Sequence, residues 1–201
     1  PVPPKIDWLD EKPTNAIEGR YAVLNPGSNE PGRRWPFASY VSVAEKLLEM
    51  GWKVFVVGTR GERWDAALLD DIAKRPGVTD LTGRTSLVEL MEIMKNAGLV
   101  ISNDTGPAHL SIALGAPTLV IVGGGHFTSF VPYPECVSPG NARFIYETME
   151  CYHCFWRCHK RASKHDVFPC VAAIPAGDVW KVCQELIADG TSAETQTAAA
   201  G

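Results

Sequence analysis

The stretch from Leu99 to Gly125 constrains the fold more than any other part of the sequence. An apolar run over Leu99–Ile101 leads into a polar turn, an apolar segment of helical length follows and ends at Gly115, and a second apolar run covers Thr118–Val122. Strand, turn, helix and strand in this order are typical of a βαβ unit in a parallel sheet. Pro107 suits the first position of the helix, because a backbone N–H is unpaired there in any case.

The turn of this unit has the composition of a phosphate site. Asp104, Thr105 and Gly106 precede the helix, and His109 falls in its first turn. The first N–H groups of a helix are unpaired and attract anions, phosphate in particular. Asp104 and Thr105 are equally typical of residues that only cap a helix, and a single histidine is usually structural. Both interpretations are open at this level.

Strands and helices alternate along the rest of the chain. Apolar periodicity predicts strands at residues 21–25, 54–57, 79–81 and 142–146, and helices that begin at Pro36, Arg63, Ser86 and Asp178. We therefore expect an α/β fold with a doubly wound parallel sheet, Rossmann-like. In the common strand order 3-2-1-4-5-6, strands one and four are neighbours, and ligands bind beyond their carboxyl ends. The loops at that edge are residues 26–35 and 103–107, so the sheet order predicts that they converge.

The first of these loops also carries groups that suit phosphate. It contains Ser28 and Asn29 as hydrogen-bonding side chains, followed by Arg33 and a second arginine. Guanidinium groups bind phosphate oxygens two bonds at a time. The alternative to a phosphate site is a purely structural role, in which the loop is solvated and covers a buried Trp35. Glu62, after the second strand, could accept hydrogen bonds from a ribose or be an ordinary surface carboxylate.

Composition limits the classes of function. The 201-residue chain is 45% hydrophobic and 21% charged, with a net charge of −4, which is typical of a globular protein and argues against a nucleic-acid binder. No apolar run approaches the ~20 residues of a membrane span. Because nothing in the sequence marks secretion and a core of this size does not need disulfides, we expect a reducing, cytoplasmic location. Residues 1–18 are predicted to be a linker or strap, residues 19–188 one domain, and residues 189–201 a disordered tail.

A cysteine-rich segment lies within that domain at residues 150–170. Its cysteines have spacings of two, three and eleven residues, and they form a weak candidate metal set, Cys151, Cys154, Cys158 and Cys170. Thiols two or three residues apart can reach one metal ion. The spacing matches no standard zinc finger or ribbon. We therefore favour reduced, partly buried thiols, with a structural zinc as the alternative.

Residues from about 20 to about 188 resemble the C-terminal half of a family 9 glycosyltransferase, the bacterial heptosyltransferase family. The matching motifs are NPGSNEPGRRWP, the G-x-x-x-E at Gly58–Glu62, DLTGRTSLVEL, SNDTGPAHLSIALGAP and the late C-x-x-C-F-x-R-C at Cys151–Cys158, which is similar to the family's C-x-x-C-F-x-R-x-C. The resemblance implies one half of a GT-B architecture, in which two Rossmann-like domains face each other across a cleft. It also implies that this half binds a nucleotide-diphospho-sugar, which is ADP-heptose in the well-known members.

The resemblance assigns the donor-binding residues by motif. Arg33 stands where the family usually has lysine and would neutralise the diphosphate, Glu62 would hold the ribose and Thr85 would lie near the base. The others would contact the sugar and phosphates. The full predicted donor-binding set is Ser28, Asn29, Arg33, Glu62, Thr85, Asp104, Thr105, Gly106 and His109.

The resemblance further implies inversion at the sugar without a required cofactor. The general base and the acceptor site would lie in an N-terminal domain of the same protein, so we expect no catalytic residue in this chain. Association with the inner membrane would be peripheral, through the acceptor. One departure concerns the loop after Val122, where three glycines and a histidine replace the family's Phe-Gly-Pro-Thr turn. The identity of the sugar and of the nucleotide base is therefore open. The alternatives are a nucleotide-sugar 2-epimerase and a non-catalytic nucleotide- or zinc-binding module.

Overall fold

The computed structural model describes residues 17–62 and 66–199, without the side chains of residues 62, 66 and 191–199. Its centre is a six-stranded parallel sheet in the order β3-β2-β1-β4-β5-β6. The predicted fold class and strand order are both confirmed. The strands are β1 (Tyr21–Asn25), β2 (Lys53–Val56), β3 (Val78–Asp80), β4 (Leu99–Asn103), β5 (Thr118–Ile121) and β6 (Ala142–Ile145).

Helices cover both faces of the sheet, because successive residues of each buried strand point to opposite sides. Ala22 and Leu24 pack with the helices of one face, whereas Tyr21 and Val23 pack with those of the other. The helices are α1 (Phe37–Glu49), α2 (Ala66–Ile72), α3 (Leu87–Lys95), α4 (Gly106–Ala113), α5 (Pro169–Ala172) and α6 (Ala176–Ala199). The first, second and sixth share the larger apolar cluster, and the third and fourth cover the other face.

The second helix is described from Ala66, and its predicted start at Arg63 lies outside the described residues. One helix differs from the sequence prediction. The last helix continues to Ala199, where we predicted a disordered tail from residue 189. Alanine, glutamate and glutamine in this tail are good helix formers, so an established helix extends through them at low cost. The predicted strap lies outside the described residues except at positions 17 and 18.

Candidate functional site

The side chain of Asn103 holds the loop after β1 against the end of β4. Its Nδ2 donates to the carbonyl oxygens of Pro26 (2.7 Å) and Gly27 (3.2 Å), and its Oδ1 accepts from the Trp35 N–H and the Tyr40 hydroxyl, both at 3.1 Å. An amide side chain offers two donor hydrogens and two acceptor lone pairs. All of them are used at a position that is 0% exposed. This buried amide therefore supplies four of the hydrogen bonds that hold the loop after β1 at the end of β4.

Arg33, Asp104 and His109 lie together where these loops meet. Arg33 Nη2 is 3.1 Å from Asp104 Oδ2 and also donates to the Asp104 carbonyl oxygen. His109 Nε2 is 3.7 Å from the other carboxylate oxygen, Oδ1. The Asp104 side chain is 11% exposed, whereas those of Arg33 and His109 are 26% and 38% exposed. A mostly buried carboxylate thus binds the guanidinium of Arg33 and lies near the imidazole of His109, and both of these side chains reach solvent.

The guanidinium of Arg33 also rests on an aromatic ring. Its central carbon is 4.7 Å from the ring centroid of Trp156, a distance at which the cation is attracted to the π face. The Nε of Arg33 is buried and has no hydrogen-bond partner within the described ranges. The carboxylate of Asp104 therefore does not use the full donor capacity of this side chain.

The start of α4 faces the same cluster and is not capped by a side chain. Thr105 occupies the N-cap position but makes no capping hydrogen bond. Its hydroxyl instead accepts from Asn25 Nδ2 at 3.1 Å and donates to the Asn103 carbonyl at 3.2 Å. Gly106 follows, and a Cβ placed there would meet no atom within 4 Å. The capping interpretation is wrong for these side chains, and the positive end of the helix opens onto free space.

The remaining predicted donor-binding residues lie in different surroundings from those of this cluster. Ser28 is buried and its hydroxyl accepts from the Glu30 N–H, whereas Asn29 is exposed. Glu62 ends a one-turn helix, Arg60–Glu62, after β2, and its side chain is outside the described part. Thr85 lines a different feature, a groove of about 380 Å³ between α3 and the first two strands. The structure does not bring Thr85 to the cluster.

The cysteine-rich segment packs against both the loop after β1 and the glycine triplet. The Arg161 guanidinium is 2.7 Å from the Glu30 carboxylate and lowers the pKa of that group, and the Phe168 N–H donates to the Gly32 carbonyl at 2.7 Å. A Cβ at Gly124 or Gly125 would overlap the rings of Tyr152 and Trp156, respectively. The triplet is therefore covered by aromatic side chains, which explains why glycine replaces the bulkier turn of the resembled family.

The four cysteines of the candidate metal set line one small cavity in this segment. The Gly124 N–H donates to Cys170 Sγ at 3.4 Å. Burial raises the pKa of Cys170, and the neighbouring thiols add to the rise through charge repulsion. Within the described ranges, however, no three histidine, cysteine or acidic side chains converge closely enough to hold an ion. The donor set suits a soft metal, but the thiols must rotate inward to share one.

Sequence patterns do not identify three residues of the site. Asn103 belongs to the turn motif, but the motif alone indicates no role for its side chain. Trp156 lies in the cysteine-rich segment, and Tyr133 lies in a loop without periodicity. The Tyr133 hydroxyl is 2.7 Å from His109 Nδ1. No local signal marks such long-range partners, because they follow from how the chain returns to the sheet edge.

None of the helices in the described part of the chain is both long and apolar enough to cross a lipid bilayer.

Comparison with known proteins identifies relatives over most of the chain. A sequence model of glycosyltransferase family 9 (heptosyltransferase) matches residues 5–160. Lipooligosaccharide heptosyltransferase 2 of Haemophilus influenzae is 31% identical over 121 residues, which are 56% of this chain and 34% of that protein. The chain thus corresponds to about a third of that relative.

Solved structures show the same fold at lower sequence identity. ADP-heptose lipopolysaccharide heptosyltransferase II of Escherichia coli has a TM-score of 0.67 and 20% identity, over 88% of this chain and 49% of that one. The dodecameric iron-containing heptosyltransferase TibC, in complex with ADP-D-β-D-heptose, has a TM-score of 0.66 and 18% identity, over 92% and 49%. This chain spans about half the length of these structures.

Proposed function

Because the chain belongs to glycosyltransferase family 9, we propose that residues 19–188 bind the nucleotide-diphospho-sugar donor of an inverting glycosyltransferase in bacterial surface-glycan or lipopolysaccharide synthesis. The observation that carries this proposal is the meeting of Arg33, Asp104 and His109 at the open start of α4. A guanidinium, an imidazole and a helix N-terminus together suit a pyrophosphate. Since two structural relatives are described with ADP-heptose, that donor is the first to test.

The chemical contribution of these residues is electrostatic. Transfer of the sugar leaves negative charge on the departing nucleoside diphosphate, and hydrogen-bond donors fixed in advance stabilise that charge. Asp104 holds the guanidinium of Arg33 in place and lies beside the imidazole of His109. Its own role is to position these two donors and, in the proposed assignment, to accept hydrogen bonds from sugar hydroxyls.

Thermal unfolding with nucleotides tests the proposal. A ligand at ~100 times its dissociation constant stabilises the folded state by about 2.7 kcal/mol, which raises the unfolding temperature measurably. We expect stabilisation by ADP and ADP-heptose, and less by UDP or GDP. No response to any nucleoside diphosphate would contradict the proposal. Consumption of UDP-N-acetylglucosamine without an acceptor would instead favour the 2-epimerase alternative.

The acceptor site and general base belong, in this proposal, to a further domain of the same protein that faces the cleft. The domain would work at the cytoplasmic side of the membrane, in peripheral contact through a lipid-linked or protein acceptor. We expect the 201-residue chain alone to bind the donor and to transfer no sugar. Detectable glycosyl transfer by this chain would show that it contains its own base.

Gly106→Ala tests whether a ligand occupies the space at the start of α4 without changing the stability of the fold. The substitution is expected to leave the free energy of unfolding unchanged within about 1 kcal/mol, because the added methyl meets no protein atom and alanine favours a helix. The same methyl occupies the space at the start of α4. We therefore expect weaker ADP binding in calorimetric titration, with Gly140→Ala, also at an open position, as the matched control. Unchanged affinity would place the phosphates elsewhere.

The cysteine set stays a weak candidate for a metal site. Cys151, Cys154, Cys158 and Cys170 line one cavity, and thiolates would suit zinc, but among the described residues no three potential ligands converge on one point. We therefore expect metal-free protein by elemental analysis, with cysteines that react with a thiol reagent. About one equivalent of zinc per chain, lost in Cys154→Ser together with a lower unfolding temperature, would contradict this expectation and favour the structural-zinc alternative.

A further inference from the structure

The imidazole of His109 is held between two oxygen-bearing side chains. The Tyr133 hydroxyl is 2.7 Å from Nδ1, and Asp104 Oδ1 is 3.7 Å from Nε2. Tyr133 lies in the loop between β5 and β6, and its ring packs edge-on against Phe144 of β6 with centroids 5.4 Å apart. This packing fixes the position of the hydroxyl. The hydrogen bond at Nδ1 therefore sets the orientation of the His109 ring, and the negative charge of Asp104 lies near Nε2 without a direct hydrogen bond.

The identity of these two oxygen groups decides which nitrogen carries the hydrogen. A carboxylate is negatively charged and only accepts hydrogen bonds. Asp104 therefore stabilises the tautomer with a hydrogen on Nε2 and destabilises the one with a lone pair there. Burial, and after it the negative charge of Asp104, raise the pKa of Tyr133, so the phenol stays protonated at neutral pH and can donate. A neutral imidazole carries one hydrogen, and a nitrogen that accepts from Tyr133 leaves that hydrogen on the other.

We propose that Tyr133 is a positioning residue that holds His109 as the Nε2–H tautomer and thereby presents a hydrogen-bond donor at the start of α4. The ligand of that donor is the diphosphate of the nucleotide-sugar, and this part rests on the proposed function. The tautomer itself does not, because it is a property of the protein without ligand. Tyr133 acts only through His109 and makes no contact with the reacting atoms.

Tyr133→Phe tests the proposal, because it removes the hydroxyl and keeps the ring that packs on Phe144. The matched control is Tyr146→Phe, which removes an exposed hydroxyl from a ring that packs edge-on against Phe127. Two quantities are measured: the ¹⁵N chemical shifts of the His109 ring at pH 8 without ligand, and the dissociation constant of ADP by calorimetry. His109→Gln assigns the imidazole signals.

We expect the parent and Tyr146→Phe to carry the hydrogen on Nε2, and Tyr133→Phe to show a mixture of both tautomers. ADP should bind to Tyr133→Phe about 3- to 10-fold more weakly, the range that one hydrogen bond supplies. A hydrogen on Nδ1 in the parent, or an unchanged tautomer in Tyr133→Phe, would overturn the proposal. If the tautomer changes as expected but the parent binds no nucleoside diphosphate, the proposed function fails and the positioning role stands.

Discussion

Replacing Asn103 by alanine is expected to lower the free energy of unfolding by about 3–5 kcal/mol, since a buried polar group that loses its partner costs about 1–3 kcal/mol. The substitution removes the partners of the Trp35 N–H, the Tyr40 hydroxyl and the carbonyls of Pro26 and Gly27 at once. Tyr40 can turn to the Asn25 carbonyl, 3.4 Å away, which limits the loss. Urea unfolding followed by tryptophan fluorescence measures the change.

Asn96→Ala is the matched control for this prediction. Asn96 is exposed, and its amide donates to the Glu92 carbonyl one turn back along α3. A change of at most about 0.5 kcal/mol is expected there. If Asn103→Ala were as mild as Asn96→Ala, the other contacts of the loop after β1, such as the Arg33–Asp104 ion pair, would be enough to hold it. The buried amide would then not explain why the two loops meet.

The second large effect concerns the nucleotide rather than stability. Arg33→Ala is expected to weaken ADP binding about 10- to 100-fold, because charge-assisted hydrogen bonds contribute roughly 1.5–3 kcal/mol. The substitution also leaves Asp104 as an uncompensated negative charge beside the phosphates. Isothermal titration calorimetry at fixed ionic strength gives the affinity, and thermal unfolding shows whether the variant remains folded.

Two further variants make the Arg33 result specific. Arg33→Lys keeps the charge and introduces the residue that the resembled family usually has at this position, so most of the affinity should return. Arg20→Ala removes an exposed guanidinium at the amino end of β1, the opposite edge of the sheet, and should bind ADP like the parent. Equal losses in Arg20→Ala and Arg33→Ala would indicate nonspecific charge attraction instead of a phosphate site.

The sequence was sufficient to locate the strands, because periodicity and turn chemistry are local, whereas the strand order was predicted as the common one for a doubly wound sheet. The apolar runs predicted the strands, and Ser86 with Glu89 forms the capping box that its spacing indicates. The rule that ligands bind where the strand order reverses then brought Arg33 and His109 to one edge. That convergence is observed at Asp104.

The details of the site depend on contacts between residues far apart in the sequence. Tyr133 reaches His109 across 24 positions, and Trp156 reaches Arg33 from a segment that was interpreted only through its cysteines. Thr105 shows that a local signal can also mislead. Its position predicts a helix cap, but its hydroxyl accepts a hydrogen bond from the Asn25 amide instead of capping α4. Competition among hydrogen-bond partners of this kind is settled by tertiary packing, which spacing along one motif does not encode.

A crystal structure of the chain with ADP tests the central claim most directly. We predict the diphosphate at the start of α4, within hydrogen-bond distance of Arg33 and His109, with no atom of the protein displaced to admit it at Gly106. A diphosphate bound away from this cluster, for instance in the groove beside Thr85, would contradict the account.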